Sequence, residues 1–226
     1  MLSIVATEQW KAVHPGAGIG LLELSNLDNN GTAISLDDRK RETEARLRQR
    51  YAGFSRRDFA ALPVMAAYVG YYKRFDKTYH VLQQVESIVL KGKRLPNVSP
   101  LVDANFVAEV ETLVLTAGHD AGKLRGDVVI DASGDGDQLT QMDGTSRAMR
   151  AGDMIMRDAG GICCSILYGQ DNRSPISAAT AHALYVAYAP AGVPAETVES
   201  HLLAVEEHVR LVCPSAVTEQ RRLLSA

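Results

Sequence analysis

Apolar residues along this chain follow two different periods, and the change falls near residue 120. Before it, apolar positions recur at helical spacing. Val81, Leu82, Val85, Ile88 and Val89 mark one amphipathic helix over Tyr79–Leu90, with Gly92 as its stop. Ile34–Tyr51 predicts a helix capped by Ser35 or Asp37 and ended by Gly53. Ser55 and Asp58 have capping-box spacing and open a helix running to about Tyr72, whose alanines and Gly70 suit close packing. Ser99 and Pro100 start a further helix carrying Asp103 and Asn105. Ser3–Ala6 reads as a short strand. The glycine-punctuated turn His14–Gly20 leads into the apolar run Ile19–Leu24, and Asn29–Gly31 is another turn.

After residue 120 the runs shorten and alternate: Asp127–Asp131, Gln138–Met142, Met154–Arg157, Ile162–Tyr168 and Ala183–Ala189. Ser133–Gly136, Asp143-Gly144 and Ala159–Gly161 separate several of them as hairpin turns. Pro194 starts a last helix with Val198, Leu202, Val205 and Val209 on one face, and Pro214 lies just past it. Helices first and strands later predict an α+β fold, a largely antiparallel sheet flanked by helices. A chain of 226 residues suits a single domain.

Composition narrows the class. Hydrophobic content of 46% and charged content of 23% suit a soluble globular protein. No apolar run is long enough to span a membrane, and the N-terminus lacks the pattern of a secretory signal. Three cysteines, two of them adjacent at Cys163–Cys164, read as reduced core thiols of a cytoplasmic protein. The G-x-S-x-G turn of serine hydrolases is absent, as is any His/Cys pair at metal-ligand spacing, so no metal and no cofactor are expected.

Charge is distributed unevenly. Residues 1–100 hold 15 Lys and Arg against 10 Asp and Glu, whereas the remainder hold 9 against 17. Either the basic half docks a polyanion or the charges interleave in the folded chain. Arg39, Lys40, Arg41, Arg46, Arg48 and Arg50 make Ile34–Tyr51 the most basic element, and Asp38, Glu42 and Glu44 offset part of it, as on a solvated, salt-bridged face. Lys73, Arg74 and Lys77 follow the next helix.

The chemistry concentrates in Lys91–Asp120. It opens on Lys91, Lys93 and Arg94, passes through the polar start of a helix, and closes on Gly118-His119-Asp120, read as a loop. His119-Asp120 is either a base beside its orienting carboxylate or a loop histidine without a role. Gly169–Arg173, five polar or glycine residues after an apolar strand, is either a substrate-facing loop or a solvated one.

Lys91-Gly92-Lys93-x-Leu95-Pro96, Val102–Phe106, Gly118–Asp120 and Gly126–Val129 occur in an order that resembles a known family. Ala151–Met154, Ile162–Arg173 and Thr180 extend the match. The family is the tRNA-editing (B-three/four) domain of the bacterial phenylalanyl-tRNA synthetase beta subunit, which also occurs freestanding. The resemblance covers about residues 71–189; a basic helical part over 34–72 and a C-terminal helix over 194–213 look like the freestanding branch. It implies a trans-editing deacylase that hydrolyses mischarged aminoacyl-tRNA. The freestanding members most similar to this chain look like canavanyl-tRNA deacylases. Canavanine is arginine with one methylene replaced by oxygen, which makes its guanidino group much less basic.

What the resemblance implies for the site is specific. His119, Asp120 and Asn105 orient water or the terminal ribose; Gly169, Gln170, Asp171, Arg173, Thr180 and Asp103 line the substrate. Asp171 and Asp120 receive a guanidino-like group. Lys91, Lys93, Arg94, Lys73, Arg74, Arg46, Arg48 and Arg50 contact tRNA phosphates. The partner is tRNA, with neither DNA nor a membrane expected. Two departures stand out: a histidine immediately before Asp120 rather than about two residues earlier, and Val186 where the synthetase domain has a glutamate. A tRNA-binding module without hydrolysis, editing of tyrosyl- or another tRNA, and action on a free amino acid derivative are the alternatives.

Overall fold

The computed structural model describes residues 1–29 and 34–226, so most of the turn expected at Asn29–Gly31 lies outside the described residues. In chain order the elements are β1 (Ile4–Ala6), α1 (Glu8–Val13), β2 (Gly18–Ser25), α2 (Ile34–Arg50), α3 (Arg56–Ala61) and α4 (Pro63–Lys73). Then come α5 (His80–Val89), α6 (Pro100–Thr112), β3 (Thr116–Asp120), β4 (Val128–Ala132), β5 (Gln138–Thr140) and β6 (Ser146–Ala148). The chain finishes with β7 (Met154–Asp158), β8 (Gly161–Ser165), β9 (Gly169–Gln170), β10 (Ala183–Ala189), α7 (Ala195–Val212) and β11 (Val217–Ser225).

The strands form two main sheets. One has the order β1-β4-β7-β8-β9, the other β11-β2-β10-β3, and β5-β6 is a separate hairpin. Every pairing is antiparallel except β1 with β4. The fold is therefore α+β with antiparallel-dominated sheets flanked by helices.

β2 and β10 hold the centre of the core: Ile19, Leu21, Leu22 and Leu24 are buried against every residue of Ala183–Ala189. The α7 face formed by Val198, Leu202, Val205 and Val209 closes over it. Gly20 makes that approach possible, because a Cβ there would lie 2.6 Å from Val198 Cγ1.

The structure departs from the sequence-based expectations in six places. Leu62 leaves the helical region at φ −59°, ψ 136°, as the residue before Pro63 tends to do, so the expected single helix divides into α3 and α4. Ser35 and Asp37 fall inside the first turn of α2 and do not precede it. Gly118–Asp120, expected as a loop, is strand, because β10 pairs His119 with Leu184 and overrides weak local strand propensity. Gly169–Gln170 likewise joins β8 as a short strand. Thr7 caps a six-residue α1, and β11, beyond Pro214, adds a partly polar edge strand to β2; neither was expected.

Ser99 does stand at the start of α6 with Pro100 inside the first turn. The side chain that caps the helix, however, is Asn29, whose Oδ1 accepts from Leu101 N at 3.0 Å. Among the described residues, no helix is long and apolar enough to cross a membrane.

Candidate functional site

A cavity of about 370 Å³ lies where α6 meets the facing edges of the two sheets. Val102, Asn105 and Phe106 of α6 form one wall, and Thr116, Ala117 and Gly118 of β3 with Tyr185 and Tyr188 of β10 form another. Cys164 and Ser165 of β8 and Gly169 and Gln170 of β9 close the opposite side, Met142 reaches in from the β5–β6 turn, and His80 stands at the start of α5. The lining holds no Asp, Glu, Lys or Arg among the described residues. Gly118 keeps the space open: a Cβ there would lie 2.8 Å from Ile176 Cδ1 and 3.1 Å from the Tyr185 ring.

Asn105 is positioned by a buried polar cluster behind the wall. Its Nδ2 donates to the Thr116 carbonyl at 3.3 Å, which leaves its buried Oδ1 without a hydrogen-bond partner. Thr116 is itself held twice more. Its N–H donates to Glu109 Oε1 at 2.8 Å, and its hydroxyl bonds His201 Nε2. The Thr112 hydroxyl donates to the Ala108 carbonyl, so His201 Nδ1 must carry the proton it gives Thr112 Oγ1 at 2.7 Å, and Nε2 accepts from Thr116. Burial pushes the Glu109 carboxyl up to about 8 and the His201 imidazole down to about 3. Neither was expected from the sequence: Glu109 stands one helical turn after Asn105, a spacing that could have marked it, whereas His201, on the apolar face of α7, carries no local signal.

Of the residues expected at the site, the structure brings Asn105, Gly169 and Gln170 together at the cavity. Gln170 Nε2 donates to the Gly118 carbonyl, bracing β9 against β3. The others lie outside the lining. His119 points away from Gly118 and is wholly buried, which, with the nearby Arg173 charge, lowers its pKa to about 3. Ser174 Oγ donates to Asp171 Oδ1 at 2.6 Å, so His119 Nδ1 donates to Ser174 Oγ at 2.8 Å. His119 is thus a neutral, Nδ1-protonated side chain in a chain of bonds, and not a loop base beside Asp120.

The carboxylates expected to receive a guanidino group are also engaged elsewhere. Asp120 Oδ1 accepts from Gly122 N at 3.0 Å and Oδ2 from Thr180 Oγ1 at 2.9 Å, so Asp120 and Thr180 fasten each other. Asp171 Oδ2 is 3.2 Å from Arg173, whose guanidinium also makes two 2.9 Å bonds to Asp158. Asp103 turns away from Asn105 to meet Lys40. Asp120 and Asp103 are hydrogen-bonded within the protein, Asp171 meets Ser174 and Arg173, and none of the three lines the cavity.

The basic residues divide into splints and a free edge. Lys40 Nζ donates to Asn97 Oδ1 at 2.6 Å, Glu44 Oε1 accepts from Leu95 N at 2.7 Å, and Arg48 bonds the carbonyls of Ile88 and Lys93. Helix α2 therefore pins the 91–99 segment with Lys40, Glu44 and Arg48, while the Arg39–Glu42 and Arg41–Glu44 pairs and the exposed Asp38 and Arg50 form the solvated, salt-bridged face expected. Arg46 pairs with Glu111, Arg50 lies over the Tyr51 ring, and Arg74 lies over Tyr71. Lys73 is exposed at the end of α4. Lys91, Lys93 and Arg94 are exposed on the pinned segment, with no carboxylate within 4.0 Å among the described residues.

The three cysteines are free and buried; Cys164 faces the cavity and Cys163 accepts from Arg173, on opposite sides of β8. Among the described residues no cluster of His, Cys, Asp and Glu is arranged to hold a metal ion.

Comparison with the curated proteins gives no match. Among solved structures the chain is similar to an N-terminal fragment of the phenylalanyl-tRNA synthetase beta subunit from Pyrococcus horikoshii, with TM-score 0.47 and 9% identity. That match covers 98% of this chain and 50% of the other, so the chain spans about half the length of that structure. The family model for the B3/4 domain matches residues 65–207, and the chain belongs to the B3/4 domain family.

Proposed function

We propose that this protein binds aminoacylated tRNA and hydrolyses the ester of a mischarged one, the acyl group entering the cavity beside Asn105. Water forms a bond to the ester carbonyl carbon, the bond to the ribose oxygen breaks, and the ribose hydroxyl regains a proton. An aminoacyl ester is already reactive, so holding water in line with the carbonyl supplies much of the catalysis needed. Asn105 Oδ1, buried and unpartnered, is the acceptor that orients it.

The observation that carries the reading is the cavity's neutrality. Its volume, about 370 Å³, lies at the small end of ligand pockets. No carboxylate lines it to repay the desolvation of a cation. Arginine stays charged in any protein environment, whereas canavanine gives up its proton far more readily and can enter neutral. The buried Tyr188 hydroxyl, beside the Cys164 thiol in the cavity wall, suits the polar tail of such a side chain. Canavanyl-tRNA is therefore the best substrate, and arginyl-tRNA is spared because its cation has no counter-charge to meet.

Incubation with canavanyl-, tyrosyl- and arginyl-tRNA, following loss of the ester, tests this. Canavanyl-tRNA is expected to be cleaved well ahead of arginyl-tRNA; ester loss no faster than the spontaneous rate for all three removes the proposal. One observation favours a second reading, tRNA binding without hydrolysis: the histidine expected to act on water, His119, lies outside the cavity. That reading requires salt-dependent tRNA binding with every ester left intact.

A further inference from the structure

A second recess of about 310 Å³ runs between α5 and the 91–96 segment, and His80 lines both it and the cavity. The two spaces therefore meet at one side chain. Lys93 and Arg94, exposed and without a carboxylate partner among the described residues, form the recess's edge. Leu95 and Pro96 contribute an apolar surface beside them. Facing them, Gln84 Oε1 is a buried acceptor without a hydrogen-bond partner.

An unpaired acceptor under an apolar surface, edged by two free cations, matches a specific chemistry. The occupant must supply an N–H donor on a flat, stackable body and an anion next to it. An unstacked nucleotide whose base carries an exocyclic amine meets all three conditions. Resting on the deacylase reading, we propose that this recess holds the nucleotide immediately 5′ of the acylated terminal adenosine. In every tRNA that nucleotide is cytidine. Its N4 amine donates to Gln84 Oε1, its ring lies on the Pro96 side, and its phosphate meets Lys93 and Arg94. His80 marks the point where the strand turns from the recess into the cavity.

The contact is specific enough to test as a cycle. Gln84→Met keeps the length of the side chain and removes the acceptor. On acyl-tRNA it is expected to raise KM about tenfold, the loss associated with one base-edge contact. Replacing the penultimate cytidine by uridine, which offers a carbonyl where cytidine has its amine, is expected to do the same to the unaltered protein. Combining the two changes adds little further loss, because both remove one interaction. The ratio of kcat/KM on acyl-tRNA to that on 3′-O-aminoacyl-adenosine falls about tenfold in Gln84→Met.

Lys93→Ala/Arg94→Ala, on exposed residues, reduces the slope of log affinity against log salt by about 0.7, the value for one phosphate of a single strand. Additive losses in the cycle, or equal loss on the nucleoside ester, would overturn the proposal. Should the unaltered protein cleave no ester at all, the deacylase reading fails by itself. The same cycle is then read by fluorescence anisotropy of oligoribonucleotides ending in CCA or CUA, and equal affinity for both ends excludes the recess as a cytidine site.

Discussion

Lys40 Nζ lies 2.5 Å from Asp103 Oδ2, with the lysine side chain wholly out of solvent. A cation from the most arginine-rich helix thus serves the interior, and through Asp103 it reaches the segment that borders the cavity. Asp103 Oδ1 accepts from Val98 N at 2.9 Å, and Lys40 also holds Asn97, so one ion pair fixes the end of the 91–99 strap.

Removing one member of such a pair leaves a buried charge uncompensated. Lys40→Met is expected to destabilise the fold by about 3–5 kcal/mol, and Lys40→Met/Asp103→Asn to regain more than half of that. Urea unfolding of the three proteins checks it. Arg50→Ala, which removes a cation held over Tyr51 at the surface, changes stability by less than about 1 kcal/mol in the same assay. Equal effects of the two single substitutions would show that the burial of Lys40 carries no special weight.

The neutral cavity predicts a specificity change. Asn105→Asp places a carboxylate where only neutral groups line the space, and so provides the counter-charge that arginine lacks. Cleavage of arginyl-tRNA is expected to rise relative to canavanyl-tRNA by about 10- to 100-fold, within the range one pocket contact supplies. Asn105→Ala lowers kcat on canavanyl-tRNA about tenfold or more, because the acceptor orienting water is gone. Parallel kcat and KM measurements on both substrates separate the two effects; an unchanged preference in Asn105→Asp refutes the neutral-pocket account.

Much of the fold was legible because its causes are local. The apolar spacing of Val81, Leu82, Val85 and Ile88 places α5 directly, and all four are buried. β3 was not legible, since Gly118, His119 and Asp120 favour no strand and are paired only because β10 runs beside them. β11 was hidden for a related reason: Glu219, Gln220, Arg221 and Arg222 form an edge whose polarity resembles a loop. The site divides in the same way. Asn105 and Gln170 sit on an element end or face that the sequence marks, and they reach the cavity. The destinations of Asp120 and Lys40 depend on Thr180 and Asp103, partners 60 and 63 residues along the chain that no spacing rule connects.

Gly118 tests whether the cavity needs its space. Gly118→Ala puts a methyl group against the Tyr185 ring, whose hydroxyl is fixed by a 3.0 Å bond to the Leu101 carbonyl. Ile176 Cδ1, the end of a flexible side chain, gives way; the tethered ring does so only at a cost. The substitution is expected to destabilise by about 1–3 kcal/mol and to lower kcat/KM on canavanyl-tRNA at least tenfold. Thermal unfolding and deacylation rates on the same preparation check both, and full activity in Gly118→Val would show that the ring and cavity tolerate the crowding.

Stability should depend on pH from two opposed sources. Burial lowers His201 and His119 to about 3, and burial with the Arg74 charge lowers His14 to about 4, from 6.5. Below pH 6.5 the unfolded chain takes up these protons and the folded chain does not, so each histidine costs stability as pH falls toward its folded pKa. Glu109 acts with the opposite sign. Burial raises it from 4.5 to about 8, so the folded state alone retains its proton between those values, and stability falls as pH rises through that window. Other carboxyls titrate as well, but difference curves against single variants isolate each group. Glu109→Gln keeps an acceptor for Thr116 N, and its stability relative to the parent should rise between pH 5 and 8. His201→Gln should gain relative to the parent as pH falls from 6.5 to 4. Each difference is steepest at about 1.4 kcal/mol per pH unit, the value for one proton. Urea midpoints at half-unit intervals measure both curves, and a difference that stays flat across either window would mean that the group titrates in the folded protein as it does in water.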